Sequence, residues 1–171
     1  MWLYSGVRFP FIGAWLYRSS EIELPREYRG VSVEYRECTC DCEVHVADGR
    51  VRYACTAWKV EGACVEFIYA VELTNGASMP RPIGIKAIVV NPRFAETVVK
   101  NFGYKALEGV LAHEYAEARC IIEGGTNCHY RGLEAECRVM GKDLCLRFRK
   151  WAVEQGWGDP EEIEYIQRID P

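Results

Sequence analysis

"KALEGVLAHEYAEARCIIEGGTNCHYRGLEAECRVMGKDL", residues 105–144, decides how this chain folds. Its first part repeats apolar residues at helical spacing. Leu107, Leu111, Ala118 and Ile121 form one stripe at 100° per residue, with Val110 at its edge. Gly124-Gly125 closes this helix, expected over residues 105–123. A second helix is expected over 127–155, closed by Gly156, with Leu133, Cys137, Met140, Leu144, Phe148 and Trp151 on its stripe. The short link makes the two helices antiparallel neighbours. Yet the first helix puts Glu114 in the middle of its apolar stripe, Glu117 at the edge and His113 one step further round. Buried carboxylates are costly without partners, so these groups must have them.

The link sets which residues meet. If the turn centres near residue 125, Glu136 of the second helix lies level with Glu114 and Glu117. His129 is then level with Ile122, roughly three turns from His113 at 1.5 Å per residue. Three acids and a histidine converge in a mostly apolar seam. Their mutual repulsion is resolved most simply by a divalent cation. His113 and Glu117, at i and i+4, face one point. His129 is a candidate to hydrogen-bond substrate or to replace Glu136 as ligand. Cys120, one turn beyond Glu117, is open to pairing with Cys128 or Cys137, or to closing the metal site as a fourth ligand.

Upstream, residues 1–80 read mainly as strands. "VSVEYRECTCDCEVHV" (31–46) alternates, and Asp48-Gly49 is a hairpin signal. A two-residue turn there sets Val46 opposite Val51, Val44 opposite Tyr53 and Cys42 opposite Cys55, making a Cys42–Cys55 disulfide the best candidate pair. Alternation explains Cys38, Cys40 and Cys42 on one face more simply than a soft-metal site does. A three-residue loop, Val60-Glu61-Gly62, would bring Phe67 opposite Cys55 and Tyr69 opposite Tyr53. Residues 74–84 read as a loop, 85–90 as a short strand, and "PRFAETVVKNFGY" (92–104) as holding a short helix.

"LAHEYAEA" (111–118) resembles the H-E-x-x-H helix of the zincin metallopeptidases, with Glu117 in place of the second histidine. In the gluzincin branch the third zinc ligand is a glutamate on a later helix. Eighteen residues, 118–135, separate Glu117 from Glu136, the spacing of the aminopeptidase-type members, and "LEAECRVMGKDL" (133–144) resembles that later helix. "IKAIVVNP" (85–92) resembles the edge strand of the zincin substrate cleft. The resemblance covers about residues 85–150. It implies His113, Glu117 and Glu136 as metal ligands and Glu114 as general base, with His129 a further catalytic candidate. Zinc is the implied cofactor. The extra carboxylate lowers the acidity of bound water and opens the site to manganese or iron.

The bulk numbers fit this frame. The chain has 171 residues, 49% of them hydrophobic, enough for one domain with a real core. Its net charge of -4 argues against nucleic-acid binding, and no stretch is long and apolar enough for a membrane span. Nine cysteines without any C-x-x-C exclude a zinc ribbon. With low amide content, they fit a cytoplasmic protein of a hyperthermophile, where intracellular disulfides occur. The expected architecture is a single α+β domain: an antiparallel sheet or meander (1–80) packed on a zincin-like strand and antiparallel helical hairpin (85–155). The expected function is metal-dependent hydrolysis of a peptide or protein substrate. The alternative is a disulfide-stabilised structural or protein-binding module.

Overall fold

The computed structural model describes residues 22–38, 41–46, 49–54, 62–74 and 77–171. Among them the chain is α+β, with a small mixed sheet and five helices. The strands are β1 (Glu27–Tyr28), β2 (Val31–Tyr35), β3 (Asp41–Val46), β4 (Gly49–Ala54), β5 (Ala63–Thr74) and β6 (Ala77–Val90). The helices are α1 (Pro92–Phe102), α2 (Tyr104–Ile122), α3 (Cys128–Met140), α4 (Lys142–Glu154) and α5 (Pro160–Arg168).

The main sheet has the order β1-β2-β6-β5, with β2 parallel to β6 and the other pairs antiparallel. This corrects the antiparallel meander. The stretch expected as one alternating strand divides: Val31–Tyr35 joins the main sheet, and Asp41–Val46 pairs with β4 in a separate two-stranded sheet. The β4–β5 pairing expected from the Val60–Gly62 loop is absent among the described residues; β5 pairs with β6 instead. Residues 77–84, expected as loop, are strand. Proline donates nothing to a ladder, yet Pro80 and Pro82 lie within this strand. Among the described residues β2 pairs with β6 only at Ala87–Val90, so no described strand needs an amide from the prolines on that edge.

The β3–β4 hairpin is shifted by two positions from the expected register. Val44 pairs with Val51, Cys42 with Tyr53, and Val46 with Gly49. A two-residue shift keeps every side chain on its face, which is why alternation alone could not choose between the registers. Cys55, Cys40 and the Val60-Glu61 turn lie outside the described residues. Three disulfides are described: Cys38–Cys64, Cys120–Cys128 and Cys137–Cys145. The second is one of the two pairings left open for Cys120.

The helix expected over 127–155 is two helices. Gly141, at φ 86°, ends α3 and precedes α4, a conformation that favours glycine. α2 is buried on more than one side, from Ala106 and Leu107 through Gly109 to His113. The single-stripe reading therefore misplaces its centre. His113 is only 3% exposed, whereas Ile121 is 39% exposed. The core joins Ile88 and Val90 of β6 to Phe94, Leu107, Leu111, Leu133 and Phe148. An aromatic group of Phe94, Phe148, Trp151 and Trp157 fills the space beside α4.

Candidate metal centre

α2 and α3 meet closely because Gly132 has no side chain. A Cβ there would lie 2.8 Å from His113 Cδ2 and 2.9 Å from the His113 carbonyl oxygen. The linking turn folds back early: the Gly125 amide donates to the Cys120 carbonyl at 2.8 Å, and Cys120 is bonded to Cys128. His129 therefore lies beside His113, ring centroids 5.1 Å apart, rather than three turns away.

Around His113 the groups form a closed circuit. Its Nδ1 is 3.0 Å from Glu136 Oε1 and its Nε2 is 3.0 Å from Glu117 Oε1. Glu117 Oε1 is 3.5 Å from His129 Nδ1. His129 Nε2 contacts Glu162, a residue of α5. The Arg149 guanidinium of α4 donates to Glu162 at 3.3 Å and grips Glu136 through both Nε, at 2.7 Å, and Nη2. Four helices thus contribute to one ring of charges. Glu162 is fixed by its own helix: it accepts from the Asp159 amide at 2.9 Å in the capping box that starts α5.

The electrostatics follow from burial and partners. Burial opposes charge on His113, but Glu117 and Glu136 outweigh it and push the ring up to about 10. Glu117 and Glu162 raise His129 to about 9. Burial likewise opposes charge on Glu136, yet Arg149 and His113 hold its carboxyl down at about 2. Glu117 is also held at about 2, its two histidines overcoming burial. Arg149 is raised despite burial, chiefly by Glu136.

The sequence-derived candidates divide accordingly. His113, Glu117 and His129 each offer a donor atom within 4.8 Å of the others. Glu136 does not join them: fully buried, it sits on the opposite ring nitrogen of His113 and is gripped by Arg149. Glu114 borders the same space, its Oε2 3.9 Å from His113 Nε2. A cavity of about 480 Å³ opens here. His113, Glu114, Glu117, His129, Arg149 and Glu162 form its polar wall. Val65 and Phe67 of β5 with Phe94, Phe148 and Trp157 form its apolar one. Residues 85–90 do not form the cleft edge. They belong to β6, inside the sheet, and among the described residues β5 is the end strand.

Arg149 and Glu162 were not anticipated from the sequence. Arg149 had a signal: with Cys145, Phe148 and Ala152 it occupies i, i+3, i+4, i+7 spacing on the buried face of α4. Glu162 lies at the third helical position after Asp159-Pro160, a capping-box pattern. That pattern places a helix start but does not reveal a partner in the site.

Donor chemistry suits a divalent ion. Ligand atoms around a tetrahedral zinc at about 2.0–2.1 Å lie about 3.3 Å from each other. The two separations to Glu117, 3.0 and 3.5 Å, bracket that value. Each histidine presents one nitrogen to Glu117 and the other to a buried carboxylate. The chain matches no protein-family model, and neither curated proteins nor solved structures gave a significant match to it.

Proposed function

We propose that the chain is a metal-dependent hydrolase, with His113 Nε2, Glu117 and His129 Nδ1 holding the ion. The observation that carries this reading is the doubled histidine–carboxylate arrangement. Glu136 behind His113 and Glu162 behind His129 fix ring orientation, as buried carboxylates do behind metal-binding histidines. His129 thus takes the third position that the gluzincin resemblance gave to Glu136, and Glu136 becomes an orienting group. Two imidazoles and one carboxylate suit zinc, with iron or manganese as alternatives.

A divalent ion there would polarise a carbonyl oxygen and make a water more acidic. Glu114, on the cavity wall beside His113, is placed to take a proton from that water and pass it to the leaving nitrogen of a peptide. Phe67, Phe94, Phe148 and Trp157 keep water from the polar wall and receive an apolar side chain. The zincin-like reading of the antiparallel α2–α3 pair and of a hyperthermophilic cytoplasm belongs to the same proposal.

One observation favours the alternative, a disulfide-stabilised binding or structural module. Glu117, Glu136 and Glu162 each already face two cationic or protonatable groups, so the ring is balanced without an ion. Metal content decides between the readings. Tag-free wild type is analysed by mass spectrometry beside Glu117→Ala, His129→Ala and Glu114→Gln. A bound divalent ion in wild type and Glu114→Gln, lost from the other two, with peptide cleavage lost in Glu114→Gln, supports the hydrolase. No ion after reconstitution with zinc, iron and manganese overturns it.

A further inference from the structure

The Cys120–Cys128 disulfide joins the two halves of the candidate metal centre. Glu117 precedes Cys120 by less than one turn of α2, and His129 follows Cys128 directly. Side-chain contacts reach the first turn of α3, His129 to Glu117 and Glu162 and Tyr130 to Tyr165, but the start of its backbone is poorly secured. Its N-cap, Asn127, is left-handed at φ 55° and makes no side-chain capping bond, and that turn has no acidic residue. The connection before it contains Gly124, at φ 75°, and Gly125, packed so closely that a Cβ would lie 2.7 Å from Cys120 Sγ. An uncapped turn on a glycine connection frays readily. His129 lies in that turn and is itself exposed.

From this placement we infer that the Cys120–Cys128 disulfide is a redox switch on metal affinity: oxidised, it holds His129 against Glu117, and reduced, it lets His129 withdraw. The inference rests on the metal-centre reading above. Cys128 is half-buried while Cys120 is 8% exposed, so Cys128 Sγ is the sulfur open to attack. A thiolate of an external dithiol attacks Cys128 Sγ, forming a mixed disulfide and releasing Cys120 as thiolate. The second thiolate of the dithiol then displaces Cys128. Two electrons pass to the protein, two protons end on its cysteines, and the dithiol leaves as its disulfide.

The test is zinc affinity, read by competition with a chromophoric chelator. Oxidised wild type is compared with Cys120→Ser/Cys128→Ser, and with Cys38→Ser/Cys64→Ser as a control whose disulfide lies on the strands. Loss of support behind a metal ligand typically weakens binding about 10–100-fold, and about tenfold or more is expected for the first variant only. Unchanged or tighter binding in that variant overturns the switch. An equal loss in the control also overturns it, because the effect is then general. If the variant does not fold, wild type reduced by a phosphine is compared with the oxidised protein under the same criteria. Failure of oxidised wild type to bind zinc, iron or manganese would instead remove the metal-centre reading itself.

Discussion

Replacing Arg149 with methionine tests the charge ring most directly. Arg149 is 8% exposed, and its guanidinium supplies two hydrogen bonds to the fully buried Glu136 and one to Glu162, itself 5% exposed. Methionine fills much of the volume but leaves Glu136 with His113 alone. Breaking a buried pair by removing one partner costs about 3–5 kcal/mol. For a chain of this length each kcal/mol moves the midpoint by about 2–4 °C, so Tm should fall by about 6–20 °C. Urea unfolding of metal-free protein, followed by circular dichroism, measures the loss. The sign with pH is also fixed. Glu136, held at about 2 against an ordinary 4.5, gives wild type stability that is complete above the ordinary value and is lost as pH falls towards 2. Without Arg149, burial would push that carboxyl above its ordinary value, and the fold would weaken as pH rises. The gap between the proteins should therefore narrow on going from about pH 7 to about pH 5. Adding Glu136→Gln should recover part of the loss. A cost below about 1 kcal/mol, as for an exposed pair, would refute the reasoning.

Three further outcomes are expected. Gly132→Ala sets a Cβ against His113 ring and backbone. Overpacking of about 1–3 kcal/mol should outweigh the gain of about 1 kcal/mol in helix propensity, which thermal unfolding would show. In metal-free protein the raised pKa values of His113 and His129 give stability that is present in full below their ordinary 6.5 and lost as pH rises through about 9–10. Unfolding curves across that range, and proton release on zinc addition by calorimetry in two buffers, report the same protons. If the proposed centre binds metal, Glu162→Gln, which removes the charge behind His129, should weaken zinc binding about tenfold or more while leaving His113 and Glu117 in place. A chelator competition that shows no change would separate α5 from the site.

The helices were legible because they follow simple periodicity. α2 lies within one residue of the expected 105–123 at each end, and the short helix expected within 92–104 is α1. Gly141 was misread because a glycine within a sustained apolar stripe does not announce its φ. The sheet was harder. Nothing local to "VSVEY" reveals that β2 pairs with Ala87–Val90, more than fifty residues later. The polar residues of "HEYAE" stood out against an apolar face, and the structure does gather His113, Glu114 and Glu117. The role of Glu136 did not follow from its spacing. That depended on Arg149, whose charge on the buried face of α4 was the same kind of anomaly.

The parallel seam between β2 and β6 bears on how the protein is made. Ser32 cannot meet Ala87 until the whole β5–β6 hairpin has been synthesised, so β2 must wait with only the two-residue β1 beside it as the ribosome adds that length of chain. Non-local closure of this kind slows folding, whereas the hairpin and the α2–α3 pair form from neighbours in sequence. The order of assembly should be hairpin and helices first, with the N-terminal strands docking last. During that interval the β6 edge along Ala87–Val90 stands open, a stretch of four consecutive apolar residues. It is the point at which nascent chains would be most prone to pair with one another.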